Sequence, residues 1–141
     1  MPPTTVEETD MALTLDESNK LCAAAIAKAN ELGIKISVAV CDPGGRLISF
    51  ARMDGAIWAS VYGSQGKATA SVGFGRASGL LQDRADHPTI RGIIAASGSS
   101  MIPGQGAIPV IRDGVVEGAC GVGGGTGEQD EICAQAAVDS L

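Results

Sequence analysis

The sequence AIPVIRDGVVEGACGV, residues 107–122, carries the strongest structural signal in this chain of 141 residues. Two apolar runs flank the dipeptide Asp113-Gly114, which is the pattern of a β-hairpin closed by a two-residue turn. The pattern predicts one strand over 107–112 and a second over 115–122. Hairpins of this kind build an antiparallel sheet, unlike the parallel sheet of a dinucleotide-binding fold.

A second hairpin is predicted upstream. Apolar residues alternate over 34–41, and the turn sequence DPGG separates them from the strand-like run 46–52. The patterns TLDE at 14–17 and TGEQ at 126–129 are capping boxes, which mark the start of a first and a last helix. The full set of predicted helices covers 15–32, 57–73, 76–84, a short stretch near 88–95 and 127–141, with a short strand around 99–102.

The composition describes one small acidic domain. Hydrophobic residues make up 45% of the chain but aromatic residues only 3%, so the core must consist of Ala, Val, Ile and Leu. The net charge of −6 and the lack of a basic run argue against a nucleic-acid partner. We predict a flexible tail over 1–11 and a single domain over 12–141.

No apolar stretch reaches the roughly 18–20 residues of a membrane span. The polar and acidic N-terminus does not resemble a secretory signal, so we predict a cytoplasmic protein without a membrane partner. The chain has four cysteines and no CxxC pair, so a zinc site is not expected and each cysteine is predicted to be a small buried residue.

The segment Arg52-Met53-Asp54-Gly55-Ala56 is the first candidate for chemistry. It lies where a strand ends and a helix begins, and Asp54 suits the N-cap of that helix. The guanidinium of Arg52 can hold a ligand carboxylate in a bidentate pair. A protein carboxylate, Asp54 or Asp130, is an equally valid partner for it.

The glycine run 121–125 and the acidic helix start after it form the second candidate. Free backbone N–H groups at a helix start attract anions, but Glu128, Asp130 and Glu131 would repel a phosphate there. We therefore favour a tight turn with close packing, or the rim of a small-ligand site, over a phosphate cradle.

Two single residues complete the candidates. Lys67, on an Ala/Gly-rich helix, is either solvated or buried beside Arg52 as an anchor or acid–base group. His87 is the only histidine, which excludes a multi-histidine metal site, and it is an exposed loop residue, an axial haem ligand or an acid–base group. Other conceivable ligands are Tyr62, Cys41, Cys120, Met53 and Met101.

Six motifs together resemble the GlcG/HbpS family, which includes the C-terminal domain of PduO-type proteins. Their order and spacing match over residues 12–141, although the family often has Ser where this chain has Gly123. The resemblance implies a profilin-like α/β sandwich, in which a five-stranded antiparallel sheet has helices packed on its faces. It also implies homo-oligomers, from tetramer to octamer. The motifs lie at 42–56, 67–70, 106–110, 113–118, 121–125 and 128–131.

For function, the resemblance implies a small-ligand-binding protein for haem or a related tetrapyrrole, with His87 as the first candidate metal ligand. The alternative is a cofactor-free isomerase or lyase that acts on a small oxygenated catabolite, such as an oxo acid, a hydroxy acid or an aromatic compound. A purely structural assembly subunit is the third interpretation. The catalytic candidates are Arg52, Asp54, Lys67, Asp130 and Glu131, and the ligand-binding candidates are Met53, Gly55, Tyr62, His87, Gly123, Gly124 and Gly125.

Overall fold

The computed structural model describes residues 13–141, so the tail predicted over 1–11 lies outside the described residues. Both predicted hairpins form, and each predicted helix is present, with the segment after Ala77 wound as a 3₁₀ helix. The elements in chain order are α1 (Leu15–Leu32), β1 (Ser37–Cys41), β2 (Leu47–Arg52), α2 (Ala59–Phe74), the 3₁₀ segment (Ser78–Arg84), α3 (Pro88–Ala96), β3 (Ala107–Arg112), β4 (Val115–Gly123) and α4 (Gly127–Asp139).

The sheet has the strand order β2-β1-β4-β3, and every neighbouring pair is antiparallel. Within residues 13–141 it contains four strands, so the expectation of five is wrong. The strand predicted around 99–102 does not form. The reason is that the Ile102 N–H donates to the Gly66 carbonyl of α2, at 2.9 Å, rather than to a strand.

The main core lies on the face of the sheet that α1 and α4 cover. Side chains alternate along a strand, so every second residue of the central strands points to this face. Burying these aliphatic side chains stabilises the sheet against the two helices. The fully buried members of this core include Val38, Val40, Cys120 and Val122 from the sheet, Leu21, Ala25 and Ala29 from α1, and Cys133, Ala134 and Ala137 from α4.

The opposite face of the sheet is built of small residues and receives α2. A Cβ added to Gly121 would lie 2.2 Å from the Ser64 carbonyl oxygen, so helix and strand are in backbone contact there. Nearby, the hydroxyls of Ser37 on β1 and Ser60 on α2 are 2.7 Å apart. This tight packing fixes the position of α2, which carries Tyr62 and Lys67.

The start of α2 differs from the prediction that Asp54 is its N-cap. The helix begins at Ala59, and Trp58 occupies the N-cap without a side-chain hydrogen bond. A turn comes first, in which the Ala56 N–H donates to the Met53 carbonyl at 3.1 Å. This turn separates Asp54 from the helix and leaves its side chain exposed.

All four cysteines are free and buried, as predicted. Burial raises the pKa of the Cys41 thiol to about 12 and that of Cys22 to about 11. These groups are therefore uncharged at neutral pH and pack as small apolar residues. In the part of the chain that the structure describes, no helix has the length and hydropathy needed to cross a membrane.

Ion pairs connect the start of α1 to the β3–β4 hairpin. Glu17 closes the predicted capping box, because its carboxylate accepts the Thr14 N–H at 3.1 Å. The same carboxylate accepts hydrogen bonds from Arg112, which also pairs with Glu117. The Arg112 hydrogen bond, followed by that of the Thr14 backbone, lowers the pKa of Glu17 from 4.5 to about 2.

We therefore expect Glu17→Gln to lower the free energy of unfolding by about 1–2 kcal/mol at pH 7, a value reduced for the partial exposure of Arg112. A carboxyl whose pKa is depressed in the folded state stabilises the protein above its unfolded pKa. This contribution is lost as the pH falls from 4.5 to below about 2, so the deficit should be much smaller in urea unfolding at pH 2.5 than at pH 7. Glu31→Gln, which removes an exposed pair with Lys28, is the control. A deficit of equal size at pH 7 and pH 2.5 would contradict this account.

Candidate functional site

Lys67 and Asp130 form a buried ion pair beside the glycine run. The Lys67 ammonium lies 2.9 Å from Asp130 Oδ2, and it also donates to the Val122 carbonyl at 3.0 Å. The other carboxylate oxygen of Asp130 accepts the Gly125 N–H at 2.8 Å. The side chains are only 14% and 2% exposed, so each charge depends on its partner for solvation.

The electrostatics of this pair are set by burial. Desolvation raises the pKa of Asp130 above its ordinary value, and the hydrogen bond and charge of Lys67 oppose that rise. Both carboxylate oxygens already have partners within the protein. As placed, Asp130 holds α2, α4 and the glycine run together and offers no free oxygen to a substrate.

The backbone amides at the end of the glycine run, those of Gly125 and Thr126, donate hydrogen bonds within the protein. The Gly125 N–H donates to Asp130, and the Thr126 N–H donates to Gln129 at 3.0 Å. Gly124 has φ +118, and a Cβ on it would lie 2.5 Å from the Lys35 carbonyl oxygen. The geometry is that of a tight turn with close packing, which agrees with the preference for a turn over a phosphate cradle.

The segment around Arg52 lies apart from the buried pair. In the sheet register Arg52 is next to Ser37, and Ser37 is next to Gly123, so the three residues share the α2 face of the sheet. Within residues 13–141 Arg52 has no ion pair, and Arg52, Asp54 and Gly55 are all exposed residues. Lys67 therefore pairs with Asp130 rather than lying buried beside Arg52.

The conceivable haem ligands differ in accessibility. Cys41 and Cys120 are buried, and burial raises the pKa of both thiols. The Met53 sulfur accepts the Ile36 N–H at 3.4 Å, and Met101 is packed over Gly73, where a Cβ would lie 2.6 Å from the methionine methyl.

Tyr62 and His87 are the exposed members of this set. Tyr62 is 67% exposed, and its ring meets that of Trp58 edge to face with centroids 6.1 Å apart. His87 is the N-cap of α3, and its Nδ1 accepts the Thr89 N–H at 3.2 Å.

A cleft of about 400 Å³ runs along α2 and is here called the α2 cleft. One wall is α2 itself, with Tyr62 at the N-terminal end, and the other is the segment that follows α3. That second wall was not predicted from the sequence, although the glycines of α2 were a signal for close packing on this helix. The lining residues are Gly45, Tyr62, Gln65, Gly66, Thr69, Ser99, Ser100 and Ile102.

A second cleft, of about 480 Å³, lies between the 3₁₀ segment and α4 and is lined by Glu131. The Gln105 side-chain amide donates to Glu131 at 2.9 Å. Glu131 thus points away from its neighbour Asp130, which is in the buried pair. In the part of the chain that the structure describes, no group of three or more His, Cys, Asp or Glu side chains is arranged to hold a metal ion.

The fold and the clefts define a small α/β sandwich domain with room for a small ligand beside its central helix. The family described as "Haem degrading protein HbpS-like" matches residues 13–139, and the chain belongs to this family. An uncharacterized 15.0 kDa protein of Citrobacter freundii, from a dhaT-dhaS intergenic region, is 32% identical over 90% of each chain. Protein GlcG of Escherichia coli K12 is 33% identical over 82% of this chain and 84% of its own.

Solved structures agree with this assignment. PduOC in complex with haem matches with a TM-score of 0.83 and 27% identity, over 93% of this chain and 96% of PduOC. A double mutant of Streptomyces reticuli HbpS matches with a TM-score of 0.82 and 26% identity, over 100% and 97% of the two chains. A member of the family therefore binds haem.

Proposed function

We propose that this protein binds haem or a related tetrapyrrole in the α2 cleft. The observation that carries the proposal is the Tyr62 phenol on the wall of a cleft of about 400 Å³, since the described residues that line the second cleft include no His, Cys, Met or Tyr. A family member in complex with haem, PduOC, supports the same chemistry.

The lining of the α2 cleft fits such a ligand. Ile102, which covers the backbone of Gly66, supplies an apolar wall for the face of a macrocycle. The hydroxyls of Ser99 and Ser100 are donors that suit the carboxylates of a tetrapyrrole. The Tyr62 phenol stands on the wall of the cleft, and a tyrosine oxygen is one of the axial ligands that proteins offer to haem iron.

We assign the iron-ligating role to Tyr62 rather than to His87. The His87 Nδ1 accepts a hydrogen bond from Thr89, so a neutral ring carries its proton on Nε2. Ligation through Nε2 would move that proton to Nδ1 and break the cap of α3. Tyr62 can turn towards a ligand without losing a hydrogen bond within residues 13–141.

The test is a titration of the purified protein with haemin, followed by the Soret band. We expect a shifted Soret band for the unsubstituted protein and for His87→Asn, since asparagine preserves the N-cap of α3. Tyr62→Phe keeps the ring and should lose the shift. The absence of any shift in the unsubstituted protein would overturn the proposal. Loss of the shift in His87→Asn alone would transfer the ligand role to His87.

Exposed apolar residues outside the lining of the α2 cleft support the self-association that the family resemblance implies. Ile57 and Trp58 are exposed just before α2, and Ile93 is exposed on α3. Patches of this kind on a soluble domain often mark contacts with other protein chains. The isomerase or lyase alternative receives no such support, because Lys67 and Asp130 neutralise each other inside the protein.

A further inference from the structure

The segment 98–104, here called the strap, links α3 to β3 and lies across α2. Gly98 and Ser99 have φ values of +88 and +60, which turn the chain back sharply after α3. A positive φ at a non-glycine residue is unfavourable and persists only where other contacts hold it. The Ser99 N–H donates to the Ile94 carbonyl at 2.9 Å, so a hydrogen bond to the end of α3 holds this turn.

The strap is held at two glycines of α2. The Ile102 N–H donates to the Gly66 carbonyl at 2.9 Å, and a Cβ on Gly66 would lie 2.4 Å from the Ile102 side chain. Met101 occupies the corresponding space over Gly73. By contrast, no atom of the described residues lies within 4 Å of a Cβ added at Gly63. Glycine weakens a helix, but at Gly66 and Gly73 the missing side chain leaves the space that Ile102 and Met101 occupy.

We infer that Ile102, packed against Gly66, is the positioning residue that holds the strap in place as the second wall of the α2 cleft. This inference rests on the proposed function. Three of the residues that line the cleft, Ser99, Ser100 and Ile102, belong to the strap, so the second wall exists only while the strap is docked. A ligand that contacts both walls binds the docked state better than the undocked one, and docking and binding therefore stabilise each other.

The matched pair Gly66→Ala and Gly63→Ala tests docking without any ligand. We expect hydrogen exchange at the Ile102 amide to be at least about tenfold faster in Gly66→Ala, because the new methyl pushes Ile102 off the helix. Gly63→Ala adds the same methyl to open space and should leave that amide unchanged. Equal exchange in the two variants would overturn the inference. If Gly66→Ala does not fold, Ile102→Ala removes the seated side chain instead and should also speed exchange.

Haemin titration tests the link to the ligand. We expect Gly66→Ala to bind haemin at least about tenfold more weakly, and Gly63→Ala to bind as the unsubstituted protein does. Haemin binding by Gly66→Ala as tight as binding by the unsubstituted protein would overturn the inference. If the unsubstituted protein gives no Soret shift, the proposed function fails, and the exchange comparison still decides whether the strap docks.

Discussion

Lys67→Met should lower the free energy of unfolding by about 3–5 kcal/mol, which is the loss typical when one partner of a buried ion pair is removed. Asp130 would remain buried, with the Gly125 N–H as its remaining partner from the pair's surroundings. Urea unfolding at pH 7.5 measures the loss. Lys28→Met is the matched control, because Lys28 pairs with the exposed Glu31 and should cost less than about 1 kcal/mol.

The stability lost in Lys67→Met should become smaller as the pH falls. Burial raises the pKa of Asp130 and Lys67 opposes that rise, so removal of Lys67 raises it further. An acid whose folded pKa lies above its unfolded value is destabilising when ionised, and this cost disappears as the pH falls through the folded pKa. The deficit of Lys67→Met should therefore shrink at pH 4.

A second substitution isolates the charge. In Lys67→Met/Asp130→Asn the amide oxygen still accepts the Gly125 N–H, but no buried charge is left unpaired, so most of the lost stability should return. If Lys67→Met proves as mild as Lys28→Met, or if the double variant is no better than the single one, the buried pair does not hold α2 and α4 together.

The hairpins and helix caps could be predicted because their signals are local. Asp113-Gly114 specifies its turn, and the capping boxes at Thr14 and Thr126 use residues three positions apart. The strand predicted around 99–102, and the fifth strand that the family resemblance implies, do not form, since the backbone of Ile102 bonds to α2. No local sequence pattern indicates that a backbone N–H of a strand-like segment will donate to a helix carbonyl instead of to a neighbouring strand.

From the sequence, the two residues of the buried pair could be named as separate candidates, but the ion pair between them could not be predicted. Lys67 and Asp130 are 63 positions apart, and they meet because α2 and α4 converge on the end of β4. Asp130 and Glu131 look alike in the sequence, yet one is buried against Lys67 and the other lines a cleft. The signal that separates them is helical spacing, because Asp130 shares one face of α4 with the buried Cys133, Ala134 and Ala137 and Glu131 does not.

Gly121→Ala should be far more damaging than the same change at Gly123 on the same strand, with a loss of at least about 3 kcal/mol, at the upper end for overpacked cores. The added Cβ would lie 2.2 Å from the Ser64 carbonyl oxygen and 2.8 Å from the Ala68 nitrogen. Both atoms belong to the backbone of α2, so the clash cannot be relieved by a rotamer change. The helix would have to move off the sheet, and the walls of the α2 cleft would move with it.

Gly123→Ala is the matched control for Gly121→Ala, because Gly123 lies on the same strand and faces the same helix. Its Cβ would lie 3.1 Å from backbone atoms of Ser60 and Ser64, a distance that a shift of a few tenths of an ångström relieves. We expect a loss of about 1 kcal/mol, and for Gly63→Ala a gain of up to about 1 kcal/mol from helix propensity. Thermal and urea unfolding of the three variants should rank them in that order. Equal losses at 121 and 123 would mean that α2 is not held against β4 by backbone contact.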